Sequence, residues 1–478
     1  MIPALMGLTE AQIGRVQAAV TDILARTGFA VAHQGLRAMS GRAGAEVDDG
    51  RGVVCFPPEL LQELLALVPA SYTIRRIDGG SHEVGGEAQH CVAIVTDPWI
   101  IDYDSGEPRR PVLADLRRHT IVAQQLEEVV SVSRMDFPVA DVEGPCSSLR
   151  ALQEHLTYHH KHVLAMPADL ASFEQWLQIG SILCSPRPLK DSALLSIGVA
   201  VISPLTLSQL NGELLIRACE QGFPIVPTIC PQAGTTSPYS LLGTVVQATC
   251  ELVAMAALTQ IVRPGNPFLA AMGTSVADMR SGHDRYYTLD KVPSKLAGVQ
   301  MALSYGLPSA AECGGTMTHR YDPQCGAEGM LFMLAAHASG CHMLSGIGSC
   351  ANAVGMSAEM MVIQTAWLQA ARHVTRGLPD EQFEMALDSI RSVGPGGNYL
   401  TDDLTLALLR SGEFFSEPIF DHSGGQGEGV PIVQRAHERV QEMVSGYQTR
   451  VPQSVLAGLA DWFEERYRRG AANDGPTG

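Results

Sequence analysis

The densest concentration of groups able to move protons or grip a ligand comprises Glu312, Cys313, Thr316, Thr318, His319, Arg320, Tyr321, Asp322, Gln324, Cys325 and Glu328. Acid, base and hydrogen-bonding side chains gathered in one stretch read as a site. Zinc is an alternative there, because Cys313, His319 and Cys325 are spaced six residues apart. Zinc sites usually pair ligands about two to four residues apart, which argues against it. A second stretch, Asp278-Met279-Arg280, sets an acid and a guanidinium two residues apart, with Ser281, Gly282 and His283 behind. They either pair with each other or bind a substrate, Arg280 gripping a carboxylate through two parallel hydrogen bonds.

Three further features carry an ordinary reading beside the chemical one. The loop 232–238, with Gly234, Thr235 and Thr236, is either a substrate or cofactor-partner loop or plain turn chemistry capped by hydroxyls. Cys341-His342-Met343 puts an imidazole in an apolar run, with Ser345, Gly346 and Ser349 after it. A lone histidine in such a run is more often a satisfied core residue, yet this one falls near the expected functional end of its strand. Aromatic residues make up only 6% of the chain, but Trp99, Tyr103, Tyr158, Tyr286, Tyr287 and Tyr321 fall near expected loops. Ring faces hold quaternary ammonium ions by cation–π attraction, and each ring taken alone could equally be packing. The run Tyr158-His159-His160-Lys161-His162 straddles a helix end and a strand start, so its imidazoles point different ways. No GxSxG elbow, HExxH, Walker or kinase pattern occurs, so a conventional hydrolase or phosphoryl-transfer enzyme is not advertised.

Periodicity supplies the scaffold for these residues. Thr9 and Gln12 form a capping-box pattern ahead of Ile13, Val16, Val20, Ile23 and Leu24, and Gly28 is the stop. Pro57 and Pro58 open a second helix over 59–67. β-like pieces follow at 71–77 and 90–97, then a hairpin over 99–112. From about residue 115, apolar runs at 129–141, 162–169, 193–205, 223–234, 267–279, 307–315 and 340–349 alternate with helical stretches. Continuous apolar runs belong to a parallel sheet covered on both faces. Polar, glycine-rich and aromatic segments follow the runs, and no dinucleotide or P-loop glycine motif occurs. That favours an α/β fold of the TIM (β/α)8 barrel type. The expected organisation is an N-terminal helical and β-hairpin appendage (1–114), the barrel (115–376) and a C-terminal helical extension (377–478) ending in a disordered tail from 471.

Composition narrows the function class. The chain has 478 residues, 46% apolar and 17% charged, too apolar for a disordered chain. A net charge of -17 makes the chain a poor general binder of nucleic acid or anionic membrane. Eleven cysteines, an odd number with no CxxC pair, favour a reducing cytoplasm, and the first residues lack a signal-peptide pattern. The uncharged stretches 192–212 and 329–358 are broken by Gly, Ser, Asn, Pro or His and read as buried strand and turn rather than membrane spans.

With these segments in order, the chain resembles the trimethylamine methyltransferase superfamily. The resemblance runs through DPWIIDYDSGEPRR (97–110), SPLTL (203–207), AGTTSP (233–238), DMRSG (278–282), YGLPSAAECGGT (305–316), DPQCGAEG (322–329) and VGPGGNYLT (393–401). It implies a TIM barrel that passes a methyl group from a methylated amine to a corrinoid (cobalamin) carried by a separate corrinoid protein, with no cofactor held tightly by this chain. The trimethylamine enzymes of that family contain pyrrolysine. This sequence has none, so it is similar to the non-pyrrolysine branch, which acts on quaternary amines such as glycine betaine. A quaternary nitrogen already carries a neutral amine as leaving group, so positioning in a dry cavity suffices and no general acid is needed. The positive charge leaves nitrogen in the transition state, so the cage should be of modest strength. Two departures point to an altered cavity: Gln-Cys-Gly-Ala-Glu after Pro323, where the family often has Gln-Ala-Gly-Tyr-Glu, and Asn398, where it often has His.

On this reading Glu312, His319, Asp322 and Gln324 are the catalytic residues. His342, Arg280, Asp278, Tyr158, Trp99, Tyr286 and Thr316 contact substrate. Gly234, Thr235, Thr236 and Gly346 face the corrinoid. No metal centre is expected, and the protein is expected to be a cytoplasmic homo-oligomer. Two rivals stand beside it: a zinc-dependent methyltransferase with ligands from Cys313, Cys325, Cys341 and His342, and a non-catalytic homologue that binds a small cation.

Overall fold

The computed structural model describes residues 7–473 except 96, 135, 136, 145 and 428. Residues 1–6 and 474–478 lie outside the described residues, and with them most of the expected disordered tail; 471–473, also expected in that tail, instead end the helix Gln453–Asn473. Strands and helices alternate: β1 (His90–Ile94), α1 (Leu113–Gln125), β2 (Val129–Arg134), α2 (Ser147–Tyr158), β3 (His162–Ala165), α3 (Leu170–Cys184), β4 (Leu195–Ala200), α4 (Gln209–Glu220), β5 (Ile225–Thr228), α5 (Leu241–Val262), α6 (Lys291–Ser304), β6 (Ala310–Glu312), α7 (Pro323–Ala338), β7 (Met343–Ile347) and α8 (Ala358–Thr375). The strands are apolar and short, and residues such as Val129, Val130 and Val132 are buried on both faces, as a sheet covered by helices requires.

The seven strands form one curled sheet in the order β5-β4-β3-β2-β1-β7-β6, every neighbouring pair parallel. Its two edge strands meet the same piece of chain, 267–270. Ile225 N–H donates to the Pro267 carbonyl at 3.0 Å and Leu269 N–H to the Ile225 carbonyl at 2.9 Å. On the other side Ala270 N–H donates to the Pro308 carbonyl at 2.7 Å and Ala310 N–H to the Ala270 carbonyl at 2.8 Å.

One sequence expectation needs correction. β1 sits between β7 and β2, so the sheet takes a strand from the segment assigned to the N-terminal appendage, and residue 114 does not bound it. A short run set off by glycine turns marks residues 90–97 as β, but such a local pattern reports the type of an element and not its partner. The hairpin of Tyr72–Arg75 and Ser81–Val84 lies across the N-terminal ends of the strands. Its Ile74 and Val84 pack with Val92, Val130, Val226, Leu269 and Met343. Its backbone donates to the Ala193 and His160 carbonyls, just before β4 and β3.

Further helices complete the fold: α9 (Phe383–Val393), α10 (Asp403–Leu408), α11 (Ile432–Ser445) and α12 (Gln453–Asn473). α11 packs on α8 and α1, and α12 on α3 and α2. Among the described residues α5 alone is long and apolar enough to cross a membrane. It is apolar all round because helices cover it, among them Glu10–Arg26, Pro58–Ala66, α4 and α6. None of the eleven cysteines is disulfide-bonded.

Candidate functional site

A cavity of about 270 Å³ opens at the C-terminal ends of the strands. Val92, Ile94, Leu164, Met166, Leu269 and Met272 make most of its wall apolar, and its polar groups are few: Ser133, Thr228, Cys230, Tyr286, Tyr287, Glu312 and Ser345. Glu312 is the last residue of β6, so its side chain is delivered to the cavity by the sheet itself. The Tyr286 hydroxyl donates to Glu312 Oε1. The ammonium of Lys291, which opens α6, lies 2.7 Å from Glu312 Oε2 and 3.0 Å from the Tyr286 ring centroid. Carboxylate, phenol and amine thus form one buried knot, with the lysine held on a ring face by the attraction that would hold a ligand cation.

Tyr287 stands edge-on to Tyr286, with centroids 5.1 Å apart at 74°, and its hydroxyl donates to Ser349 Oγ at 3.3 Å. Burial, reinforced by the Glu312 charge, pushes both phenols well above the usual tyrosine range, so both are neutral donors at physiological pH. Burial lowers the Lys291 ammonium from the usual lysine value, while Glu312 pulls the other way. Lys295, one helical turn on, lies with its ammonium 4.4 Å from the Phe332 ring centroid and has no hydrogen-bond acceptor among the described residues. Burial pushes it down to about 8. The Cys230 thiol is open to the cavity, yet enough protein surrounds it that desolvation pushes it up to about 11.

Asn352 positions the two tyrosines. Its side-chain oxygen accepts from the Tyr286 N–H at 2.7 Å and the Tyr287 N–H at 3.2 Å, and its amide nitrogen donates to the Asp284 carbonyl at 2.7 Å. Asn352 has φ 57°, flanked by Ala351 at 47° and Ala353 at 63°. Three consecutive non-glycine residues in the left-handed region store strain, as segments that aim functional groups often do. Glycines make the room: a Cβ at Gly273 would collide with the Tyr286 hydroxyl, and one at Gly315 with the Tyr287 ring.

Of the residues singled out from the sequence, Glu312, Tyr286, Tyr287, Ser345 and Gly346 line the cavity. The others do not line it, and several have a local task instead. Asp322 caps α7, accepting from Cys325 N–H at 3.0 Å, and Gln324 donates to Glu328 Oε1 at 2.8 Å. His319 lies on the surface, 3.6 Å from Glu107. Thr316 is buried, its hydroxyl donating to the Thr318 carbonyl, while its own carbonyl accepts from Asn352 N–H. Asp278 closes a turn by accepting from the N–H groups of Arg280 and Ser281, and so leaves that loop on the surface. Gly234, Thr235 and Thr236 belong to a turn closed on Gln232, where Thr236 Oγ1 accepts from its N–H at 2.8 Å; the plain-turn alternative describes them.

His342 corrects a choice of strand end. It enters β7 at the sheet's opposite end from the cavity, where its Nδ1 accepts from Ser309 N–H at 3.0 Å. Trp99 and Tyr158 hold cations of the chain's own, Arg110 at 4.1 Å and Arg117 at 5.5 Å from their ring centroids. Cys313, Cys325, Cys341 and His342 do not converge as a metal cluster among the described residues.

Sequence reasoning missed Lys291, Lys295 and Asn352. Lysines on a helix read as solvent-facing. The signal available was that Lys291 and Lys295 share one face of α6 with Leu296, Val299 and Ala302, all buried.

Residues 1–471 match the family described as trimethylamine methyltransferase (MTTB). The chain is 25% identical over 454 residues to the glycine betaine methyltransferase of Desulfitobacterium hafniense strain Y51, covering 94% of each chain. It is 25% identical over 269 residues, 54% of each chain, to the proline betaine:corrinoid methyltransferase of Eubacterium limosum. Its fold is similar to that of the monomethylamine methyltransferase of Methanosarcina barkeri, with a TM-score of 0.50 at 12% identity over 96% of this chain and 88% of that one.

Proposed function

Because this chain belongs to the trimethylamine methyltransferase family, we propose that it moves a methyl group from a quaternary amine, glycine betaine being the leading donor, to the reduced cobalt of a corrinoid carried by a separate protein in the cytoplasm. Segment 267–270 acts as the eighth stave of a TIM barrel, whose active end is the C-terminal one. The observation that carries the reading is the pairing of two tyrosine rings with a carboxylate in an otherwise apolar cavity at that end.

About 270 Å³ suits a donor of betaine size and is too small for a corrin ring, so the residues fit a corrinoid offered from outside the mouth. Reduced cobalt supplies a nucleophile that takes the methyl carbon directly, and the nitrogen keeps the bonding pair as a neutral tertiary amine. The chain's residues bind and orient. Tyr286 and Tyr287 offer ring faces and edges, Glu312 offers negative charge, and the apolar wall excludes water. Lys291 shares both Glu312 and the Tyr286 face, which weakens the cage. A weak cage suits this chemistry, since attraction for the cation must be given up as its charge vanishes.

The test is to mix the protein with reduced cobalamin and a panel of betaines, and to follow the spectral change on methylation. A change with at least one quaternary donor supports the reading. Spectral silence with every donor, alongside a working control enzyme, overturns it.

A further inference from the structure

A second cavity, of about 250 Å³, opens at the end of the sheet away from the first. Three stretches far apart in the chain enclose it: 75–79 in the hairpin, 183–194 from the end of α3 to the start of β4, and 452–455 at the start of α12. Arg75, Arg76 and Arg187 line it, and no acidic residue does. The chain as a whole has 50 acidic residues against 33 basic ones, so this wall is charged against the trend of the molecule.

The three arginines are not equally free. Arg76 is spent on Asp78, to which its Nε and Nη2 both donate. The side chains of Arg75 and Arg187 make no ion pair or hydrogen bond among the described residues. Arg75 follows Ile74 in the hairpin, so strand alternation turns it to the face away from the apolar packing under the strands. A guanidinium presents its donors in a planar fork that fits two oxygens of one oxyanion.

Backbone donors stand beside these arginines. α12 opens behind Pro452, which has no side-chain oxygen to cap it, and its first turn carries no acid. The N–H groups of Val455 and Leu456 turn back onto the Pro452 carbonyl, at 2.9 and 3.0 Å, while those of Gln453 and Ser454 have no acceptor among the described residues. Two carbonyls at the end of α3, which would face an anion unfavourably, are already occupied: Ile182 accepts from Ser185 N–H at 3.3 Å and Cys184 from Arg187 N–H at 2.9 Å. Ile77, Leu183, Leu194 and Val455 give the wall an apolar side.

We propose that this cavity binds a small soluble phosphate monoester, its oxyanion between Arg75, Arg187 and the start of α12 and its organic part on the apolar side. The site lies at the opposite end of the sheet from the reaction cavity, so its ligand is neither methyl donor nor corrinoid, and the inference does not rest on the proposed reaction. Such a ligand ties three distant stretches of chain together and therefore stabilises the fold. A lipid headgroup fits less well, because an anionic bilayer repels a chain of net charge -17.

The test is calorimetry of the purified full chain at pH 7 with glycerol phosphate, inorganic phosphate and succinate. The ester should bind once per chain, more tightly than either comparison anion, and raise the melting temperature where sodium chloride of equal ionic strength does not. Arg75→Gln combined with Arg187→Gln should weaken it at least tenfold with circular dichroism unchanged. Ser454→Asp is the complementary variant: its carboxylate occupies the helix start, so binding should be lost while the melting temperature holds or rises. Absence of binding at millimolar ester, binding that survives either variant, a preference for succinate, or binding to phosphatidate vesicles alone overturns the proposal.

Discussion

The Lys291 ammonium lies 3.0 Å from the centre of the Tyr286 ring and 2.7 Å from Glu312 Oε2, so the ring and the carboxylate that would receive a ligand cation already share one of the protein's own. A methylated ammonium entering the cavity competes with this tethered charge. Variants at either end of the pair should therefore move ligand affinity in opposite directions.

Glu312→Gln removes the negative charge and leaves Lys291 buried without its ion partner. Tetramethylammonium, measured by calorimetry, should bind about 10–100-fold more weakly, the worth of roughly 1.5–3 kcal/mol for a charged contact. Urea denaturation should show a loss of about 3 kcal/mol from the orphaned ammonium. Lys291→Met should tighten the same ligand and lower kcat, because the stronger cage must then be given up in the transition state. Weaker ligand binding by Lys291→Met would refute the competition.

Asn352→Ala should raise KM several-fold, with a smaller effect on kcat, because the Tyr286 and Tyr287 N–H groups lose their shared acceptor. Stability should fall as well, since alanine bears the left-handed backbone at this position less easily than asparagine. Asn352→Gly separates the two effects: it relieves the backbone and still lacks the acceptor, so it should recover the melting temperature without recovering KM.

Acid should unfold this protein early. Burial pushes His119, His160 and His162 down to about 4 and His159 to about 3, and holds His155 well below the usual histidine value of 6.5. Folded, these imidazoles stay neutral between pH 6.5 and about 4, whereas the unfolded chain protonates them. The unfolded state thus binds more protons, and stability falls as pH falls through that window, by up to about 1.4 kcal/mol per pH unit for each histidine. Denaturant midpoints taken from pH 7 to 4.5 should drop steeply, with unfolding near pH 5. Lys295 acts in a different window. It is pushed to about 8 from 10.5, so its burial costs stability below pH 8, and the cost fades as pH rises towards 10.5. Lys295→Met should stabilise the protein at pH 7 by about 3 kcal/mol and gain nothing above pH 10.5.

His319→Ala and Asp322→Ala should leave methyl transfer within a few-fold of wild type. His319 lies on the surface against Glu107. Asp322→Ala removes a helix cap and should cost about 1 kcal/mol in urea denaturation. A loss of kcat of a hundredfold or more in either variant would return these residues to the active site.

The scaffold was more legible than the site. Apolar runs locate the strands because burial on both faces leaves no room for polar alternation; the run 307–315 itself holds Glu312, and the loop after 267–279 holds Tyr286. What the runs lacked was direction: an apolar strand looks the same from both ends, and His342 was placed at the wrong one. Dense polarity also misleads at Asp322 and Gln324, whose side chains cap and brace a helix start, and at His319, which lies against Glu107. Lys291 and Asn352 act through distance across the chain, since Asn352 reaches residues 65 and 66 positions earlier. No local pattern encodes the Asn352 contact, and for Lys291 the helix face shows only that the side chain is buried, not what it meets.

The hairpin that packs Ile74 and Val84 beneath the strands covers the end of the sheet opposite the cavity, so among the described residues the doorway is at the strands' C-terminal ends. On the proposed chemistry a small donor and a bulky acceptor must use it in turn. The donor has to be seated before the macrocycle covers the entrance, and the spent amine waits inside until the visitor departs. Steady-state rates should accordingly follow a compulsory order of arrival, and the demethylated amine should act as a competitive inhibitor against the donor alone.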